Sequence, residues 1–139
     1  MSVLVDTSFL FAVKNLDDDD HARAVELFQE LLHREHGAAY ATNLIFAEAI
    51  TVSLVRTGRH SAAVAIGELL LRRYRGEPFF SMHHVSPPQL QSAWEEFRRH
   101  PDKSLSLTDW TSVVAARELE IDRVLSFDRG FDGIHPRLS

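Results

Sequence analysis

Val3-Leu4-Val5-Asp6-Thr7-Ser8 is a short run of branched apolar residues that ends abruptly in an acid and two hydroxyls. A continuous apolar run without polar alternation is the pattern of a strand buried on both faces. Asp6 therefore falls at the carboxyl end of a buried strand. A short helix is expected from Ser8 to about Lys14. After Asp17-Asp18-Asp19-Asp20 comes a helical segment in which Ala24, Leu27, Phe28 and Leu31 repeat at the spacing of one helix face. The acids ahead of it suit the positive end of the helix dipole.

The alternation continues to the end of the chain. Ala38 to Thr42 is expected to be a second strand, and Leu44 to Val55 a helix apolar on nearly all sides. A break follows at Thr57 to His60, around Gly58. Ser61 to Arg73 is the next helix, with Ala62, Ala65, Ile66 and Leu69 on one face. Pro78 leads into a third strand, Phe79 to His83. Pro87 and Pro88 suit the first turn of a helix reaching about Arg99. Ser106 to Glu120 is a further helix, Arg123 to Phe127 a strand, and Gly133 to Arg137 a last short one. Strands alternating with helices imply an α/β fold with a mostly parallel sheet covered on both faces. Ligands of such sheets bind outside the carboxyl ends of the strands.

Four acids fall at or near that edge. Asp6 follows the first strand, and Asp128 follows Arg123 to Phe127. Each has a local alternative: Asp6 as a helix cap, Asp128 as the opening of the turn Asp128-Arg129-Gly130. Asp109 stands three residues after Ser106 before an apolar helix, which is also the pattern of a capping box. Glu48 sits in Leu44-Ile45-Phe46-Ala47-Glu48-Ala49-Ile50, where no turn of a helix leaves it on a clearly polar face. A carboxylate there needs a partner, either a cation or a buried Arg. If all four converge, neighbouring like charges about 4 Å apart repel by about 4 kcal/mol at an effective dielectric near 20. The cluster then either keeps protons or holds a cation. An all-oxygen site selects a hard ion, Mg²⁺ or Mn²⁺, with Ca²⁺ a further candidate. Such ions activate water and stabilise displacement at phosphorus.

These segments together resemble the PIN-domain ribonucleases, and within them the VapC toxins of bacterial toxin–antitoxin pairs. The matching pieces are Val3 to Ser8, then Thr42-Asn43-Leu44 running into Ala47 and Glu48. They continue with Ser104-Leu105-Ser106-Leu107-Thr108-Asp109, leading through Arg117 to Leu125-Ser126-Phe127-Asp128-Arg129-Gly130-Phe131. Each piece is short; their order and placement make the combination specific. The resemblance implies a single PIN domain over residues 1–139, folded as a three-layer α/β/α sandwich. It implies Asp6 and Asp109 as main metal ligands, Glu48 completing the centre and Asp128 more peripheral. Thr7, Ser8 and Thr108 match the family's supporting hydroxyls. The implied activity is Mg²⁺-dependent cleavage of RNA, with Mn²⁺ able to substitute. The implied partners are a VapB-like antitoxin and a second copy of the chain in a homodimer. The alternative is a PIN-like module that binds RNA or a partner without catalysis.

Composition bounds these readings. The 139 residues include no Cys, which excludes a disulfide scaffold and thiolate metal sites. No stretch approaches the roughly 18 apolar residues of a membrane span. The start lacks a basic leader and a small-residue cleavage site, so it reads as mature protein, and a cytoplasmic location is expected. The net charge of −5 argues against coating nucleic acid by bulk charge. Setting the four site acids aside leaves one acid in excess over bases. Asp17 to Asp20 are read as a solvated loop, and Asp102, Asp122 and Asp132 as loop residues. Among the eight His, His33 with His36 and His83 with His84 lack a third ligand at useful spacing, so a zinc site is not expected. Basic residues are mostly Arg, with Arg56, Arg59, Arg72, Arg73 and Arg75 in mid-chain and Arg98, Arg99 and Lys103 before Asp109. Arg suits bidentate phosphate contacts, though a solvated face or antitoxin contacts explain it equally. Trp94 and Trp110 fall at core spacing.

Overall fold

The computed structural model describes residues 1–139. Its centre is a five-stranded parallel sheet in the order β5-β2-β1-β6-β7. The strands are β1 (Ser2–Val5), β2 (Ala38–Thr42), β5 (Ser81–His83), β6 (Arg123–Leu125) and β7 (Arg137–Leu138). An antiparallel pair, β3 (Arg73–Tyr74) and β4 (Glu77–Pro78), stands apart from it. The helices are α1 (Thr7–Lys14), α2 (His21–Leu32), α3 (Asn43–Thr57), α4 (His60–Leu70), α5 (Pro87–Arg99) and α6 (Leu107–Glu118).

Alternate residues of the central strands separate the layers, as the two-residue period of a strand requires. Val3 and Val5 of β1 and Leu125 of β6 enter the large core with Phe9 and Leu10 of α1, Leu27 and Leu31 of α2, Ile45 of α3 and Ile66 of α4. Val124 faces the other way, onto Trp110 and Val113 of α6 and Ala93 of α5. Leu4 joins Ala116 and Ile121 on that same side. Four helices thus cover one face and two the other: the three-layer α/β/α arrangement.

β1 is central because its successors build outward in both directions. The chain passes from β1 to β2 and β5 on one side, then returns across the sheet to β6 and β7 on the other. The reversal falls between β1 and β6. Parallel sheets open a crevice at this switch point, beyond the carboxyl ends of the strands.

Several elements differ from the sequence expectation. The helix after Gly58 ends at Leu70, three residues short of the expected Arg73, which instead opens the hairpin β3–β4. Arg75 and Gly76 at the hairpin tip both have positive φ, 53° and 84°. That is the two-residue turn geometry usually marked by Asn-Gly, and Arg-Gly hides it. α4 buries Ala63, Ile66, Gly67, Leu69 and Leu70, a face rotated from the expected one, and leaves Ala62 and Ala65 half-buried. Phe79 and Phe80 pack edge-to-face in the core before β5 begins, so their burial is real but their strand is shorter. The strand at Arg123 stops at Leu125, and the last strand is Arg137–Leu138. α3 is apolar on most sides but buries only Ile45, Ala49 and Ser53, while Val55 is 76% exposed. Trp110 is buried, whereas Trp94 is exposed and stacks on Phe97, with ring centroids 5.9 Å apart. Small Ala93 makes the inner contact of α5, and its larger neighbour is turned outward. No helix is long and apolar enough to cross a membrane.

Candidate active site

Asp6, Glu48, Asp109 and Asp128 line one pocket of about 180 Å³ beside the switch point. Each arrives by a different local route. Asp6 is the first residue beyond β1 and occupies the cap position of α1. Its side chain makes no capping hydrogen bond, so the local alternative for this residue does not hold. Register explains what it does instead. Val5 pairs with Leu125, which sets Ser126 beside Asp6. The buried Ser126 hydroxyl donates to Asp6 Oδ2 at 2.7 Å, and Ser8 Oγ donates to the same oxygen at 3.0 Å. Ser8 Oγ in turn accepts from Phe127 N–H at 3.0 Å. Asp6 Oδ1 is buried with no hydrogen-bond partner.

Asp109 is carried by the start of α6, and the capping box is present. Asp109 N–H donates to Ser106 Oγ at 3.0 Å, and Ser106 N–H donates to Asp109 Oδ2 at 2.8 Å. The cap and the pocket are served by one side chain, because only one carboxylate oxygen is used in the cap. Glu48 extends from α3 and accepts from Thr7 Oγ1 at 3.3 Å. It is half-buried and forms no ion pair with any Arg, which removes the buried-Arg explanation. Asp128 follows β6 by three residues. Its Oδ1 accepts from Gly130 N–H at 2.8 Å, so the turn reading is also correct, and the same residue still lines the pocket.

The electrostatics are those of acids gathered without compensation. Burial pushes the Asp6 carboxyl above its ordinary range, against the hydrogen bonds from Ser126 and Ser8. Burial, then the charges of Asp6 and Glu48, push Asp109 up to about 7. Glu48 is raised by burial and by Asp6, with the Thr7 and Thr108 hydroxyls pulling the other way. All three shifts mark a place where negative charge is held at a cost unless a proton or a cation joins it.

Of the expected hydroxyls, Thr7 and Ser8 line the pocket and bond its acids, whereas Thr108 is not on the pocket wall and acts on Glu48 alone. The sequence gives no role to Ser126 or Ser104, makes Ser106 a helix cap only, and names Arg56 only among arginines suited to phosphate contacts, yet all but Ser126 line the pocket and Ser126 bonds Asp6. Ser126 was signalled by its place one residue beyond β6, opposite Asp6. Arg56 had no such signal, because its approach depends on how α3 crosses α1. Asp17 to Asp20 form the loop and turn before α2, and none of them lines the acidic pocket. Asp122 and Asp132 pair with the N-terminus and Arg137. His36 pairs with Glu30, and His83 with Gln89. No group of three or more acid or imidazole side chains stands at ion-gripping spacing as placed. Oδ2 of Asp6, Oδ2 of Asp109 and Oε2 of Glu48 are each turned onto hydroxyl or backbone donors. The donor set nonetheless fits a hard divalent ion: only oxygens, excess negative charge, and a buried orphan oxygen on Asp6.

Fold and pocket together define a parallel α/β/α protein with a carboxylate site at the switch point of its sheet. The chain belongs to the PIN domain family, whose model matches residues 3–135. It resembles the solved structure of VapC20 from Mycobacterium tuberculosis, a sarcin–ricin loop cleaving toxin. The two are 28% identical with a TM-score of 0.80, over 94% of this chain and 93% of that one. VapBC2 from Rickettsia felis, solved with a promoter DNA fragment, shares the fold at 11% identity and a TM-score of 0.66, over 99% and 98% of the two chains. FitAcB from Neisseria gonorrhoeae does so at 15% identity and 0.67, over 99% and 96%. No curated protein matches the chain closely in sequence.

Proposed function

We propose that the chain, as a single domain over residues 1–139, is a divalent-metal-dependent endoribonuclease acting as the toxin of a toxin–antitoxin pair. The observation that carries this is the buried, unpartnered Oδ1 of Asp6 in a pocket shared with Glu48, Asp109 and Asp128. Asp6 and Asp109 would hold Mg²⁺ or Mn²⁺, with Glu48 completing the set and Asp128 at the rim. When bound, such an ion neutralises charge on a phosphodiester and acidifies water. Ser126 and Ser8 hold Asp6 in orientation by its other oxygen. Glu48, held at Oε2 by the Thr7 hydroxyl, would accept the proton of the attacking water.

The 28% relationship to a toxin that cleaves the sarcin–ricin loop makes that RNA the first substrate to test. A VapB-like antitoxin and a homodimer are the proposed partners, in the cytoplasm. Leu90, Trp94 and Phe97 on α5, and Leu54, Val55 and Val64 on α3 and α4, offer exposed apolar surface for protein contacts.

Purified protein should cut RNA in Mg²⁺ or Mn²⁺, stop in EDTA, and lose cleavage in Asp6→Asn with the fold intact. Undiminished cutting by Asp6→Asn or in EDTA would overturn the proposal. Tight RNA binding with no cleavage under any divalent ion would favour the non-catalytic module instead.

A further inference from the structure

Arg56 lines the acidic pocket yet neutralises none of its acids. Its guanidinium makes no ion pair within 4.0 Å and no side-chain hydrogen bond. It lies over the ring of Phe11, with Cζ 5.1 Å from the ring centroid. That contact engages the guanidinium while its N–H groups have no protein partner. Arg56 also lines a second, wholly polar depression of about 340 Å³, with Asn15, Asp17, Thr57 and Arg59. The two hollows are joined through this one side chain.

Arg59 adds an independent sign. It occupies the cap position of α4, where Ser, Thr, Asp or Asn is favoured and a positive charge opposes the helix dipole. Its side chain makes no hydrogen bond or ion pair. Gly58, with φ of 66°, turns the chain between α3 and α4 so that both arginines border the one depression. Helix propensity accounts for Arg56 at the end of α3, but not for Arg59 at the start of α4.

We propose that Arg56 and Arg59 form a phosphate track leading away from the carboxylate pocket, which grips the RNA backbone beside the bond to be cut. This rests on the endoribonuclease reading for its substrate class. Each guanidinium presents a fork that matches two phosphate oxygens. Arg56 takes the phosphate next to the scissile one, and Arg59 the following one. Asp17, which lines the same depression, limits the track by repulsion.

The test measures binding of a labelled single-stranded RNA of mixed sequence in EDTA, where no cutting occurs, across a salt series. Each phosphate contact on a single strand contributes about 0.7 to the slope of log affinity against log salt. Arg56→Gln and Arg59→Gln should each lower the slope by about that amount, and the double variant by about 1.4. Arg56→Lys should keep most of the slope, and Asp17→Asn should tighten binding. Arg75→Gln, at the hairpin tip before β5, is the control and should change nothing. In Mg²⁺, Arg56→Gln should raise KM several-fold more than it lowers kcat. An unchanged slope in both single variants, or no RNA binding by the parent chain, overturns the track. Loss of slope in a protein that cuts no RNA would leave the track standing and remove the endoribonuclease reading.

Discussion

Ser126 and Asp6, on adjacent strand ends and 120 positions apart in sequence, share a buried hydrogen bond of 2.7 Å. The hydroxyl occupies Oδ2 and leaves Oδ1 as the only oxygen of Asp6 without a partner. Ser126 also accepts from Asp128 N–H at 3.0 Å, so one side chain ties together two of the four acids. Its location follows from the register of β1 against β6, and its effect falls on the chemistry of the pocket.

Ser126→Ala is therefore expected to act through Asp6. Hydrogen bonds to charged groups are worth about 1.5–3 kcal/mol, and this one favours the ionised form. Its loss should move the acid limb of the activity profile to higher pH and lower the rate at neutral pH about tenfold or more. Ser126→Thr, which keeps the hydroxyl, should recover part of it. A uniform loss of rate with an unmoved pH profile would show that Ser126 serves packing alone.

The raised acids make stability depend on pH in an unusual direction. Asp6, Glu48 and Asp109 bind protons more tightly folded than unfolded. The stability this contributes is complete below the ordinary carboxylate range and is lost as pH rises through about 7, the value for Asp109. Cation-free protein should show a Tm that falls from about pH 5 to about pH 8. Mg²⁺ or Mn²⁺ should restore it, more at high pH than at low, and a concentration of 100 times Kd adds about 2.7 kcal/mol. Asp109→Asn should flatten the curve and blunt the metal effect. A Tm rising across the same window in EDTA would contradict the placement of these carboxyls.

Asp6 and Asp128 were legible in the sequence because each follows a short apolar run, although β6 stops at Leu125 and not at the expected Phe127, and ligands of parallel sheets collect at such ends. Glu48 was legible from its apolar neighbours. Arg56 was named only as one of several arginines suited to phosphate, and its place at the pocket was not legible, since nothing local says that the last turn of α3 lies over Phe11 of α1. The β3–β4 hairpin was hidden by Arg75 at a position of positive φ, and Trp94 was misplaced because helical spacing does not say which flank of α5 meets α6. Periodicity names the elements and their ends; rotation about a helix axis is settled only by what packs against it.

Gly130→Ala tests how tightly Asp128 is seated. A Cβ on Gly130 would lie 2.9 Å from Leu105 Cδ2, 3.0 Å from Asp128 Oδ1 and 3.3 Å from Ser104 Oγ. Leu105 is buried against Trp110 and cannot move freely. The expected cost is about 1–3 kcal/mol of stability from overpacking. Asp128 should be displaced with it, so cleavage should fall several-fold. In an Asp128→Ala background the same substitution should cost stability but little further activity. Equal activity losses in both backgrounds would mean that the turn acts on cleavage by another route.

Ser106 and Asp109 allow the cap and the site to be separated experimentally. Ser106→Ala removes the bond from Asp109 N–H to the hydroxyl but keeps the one from Ser106 N–H to Asp109 Oδ2. Loss of a cap costs about 1 kcal/mol, so Tm should drop while the carboxylate stays oriented and the rate changes only a few-fold. Asp109→Asn has the opposite signature. The amide oxygen can still accept from Ser106 N–H, so the cap is preserved, and removal of a crowded charge should hold or raise Tm near pH 8. Cleavage should nonetheless be lost, because the ionised oxygen is gone. Melting curves and initial rates on the two variants would show the crossing. If Ser106→Ala lost cleavage as completely as Asp109→Asn, the hydroxyl on the pocket wall would have to act on the substrate itself, and the division of labour between cap and acid would be wrong.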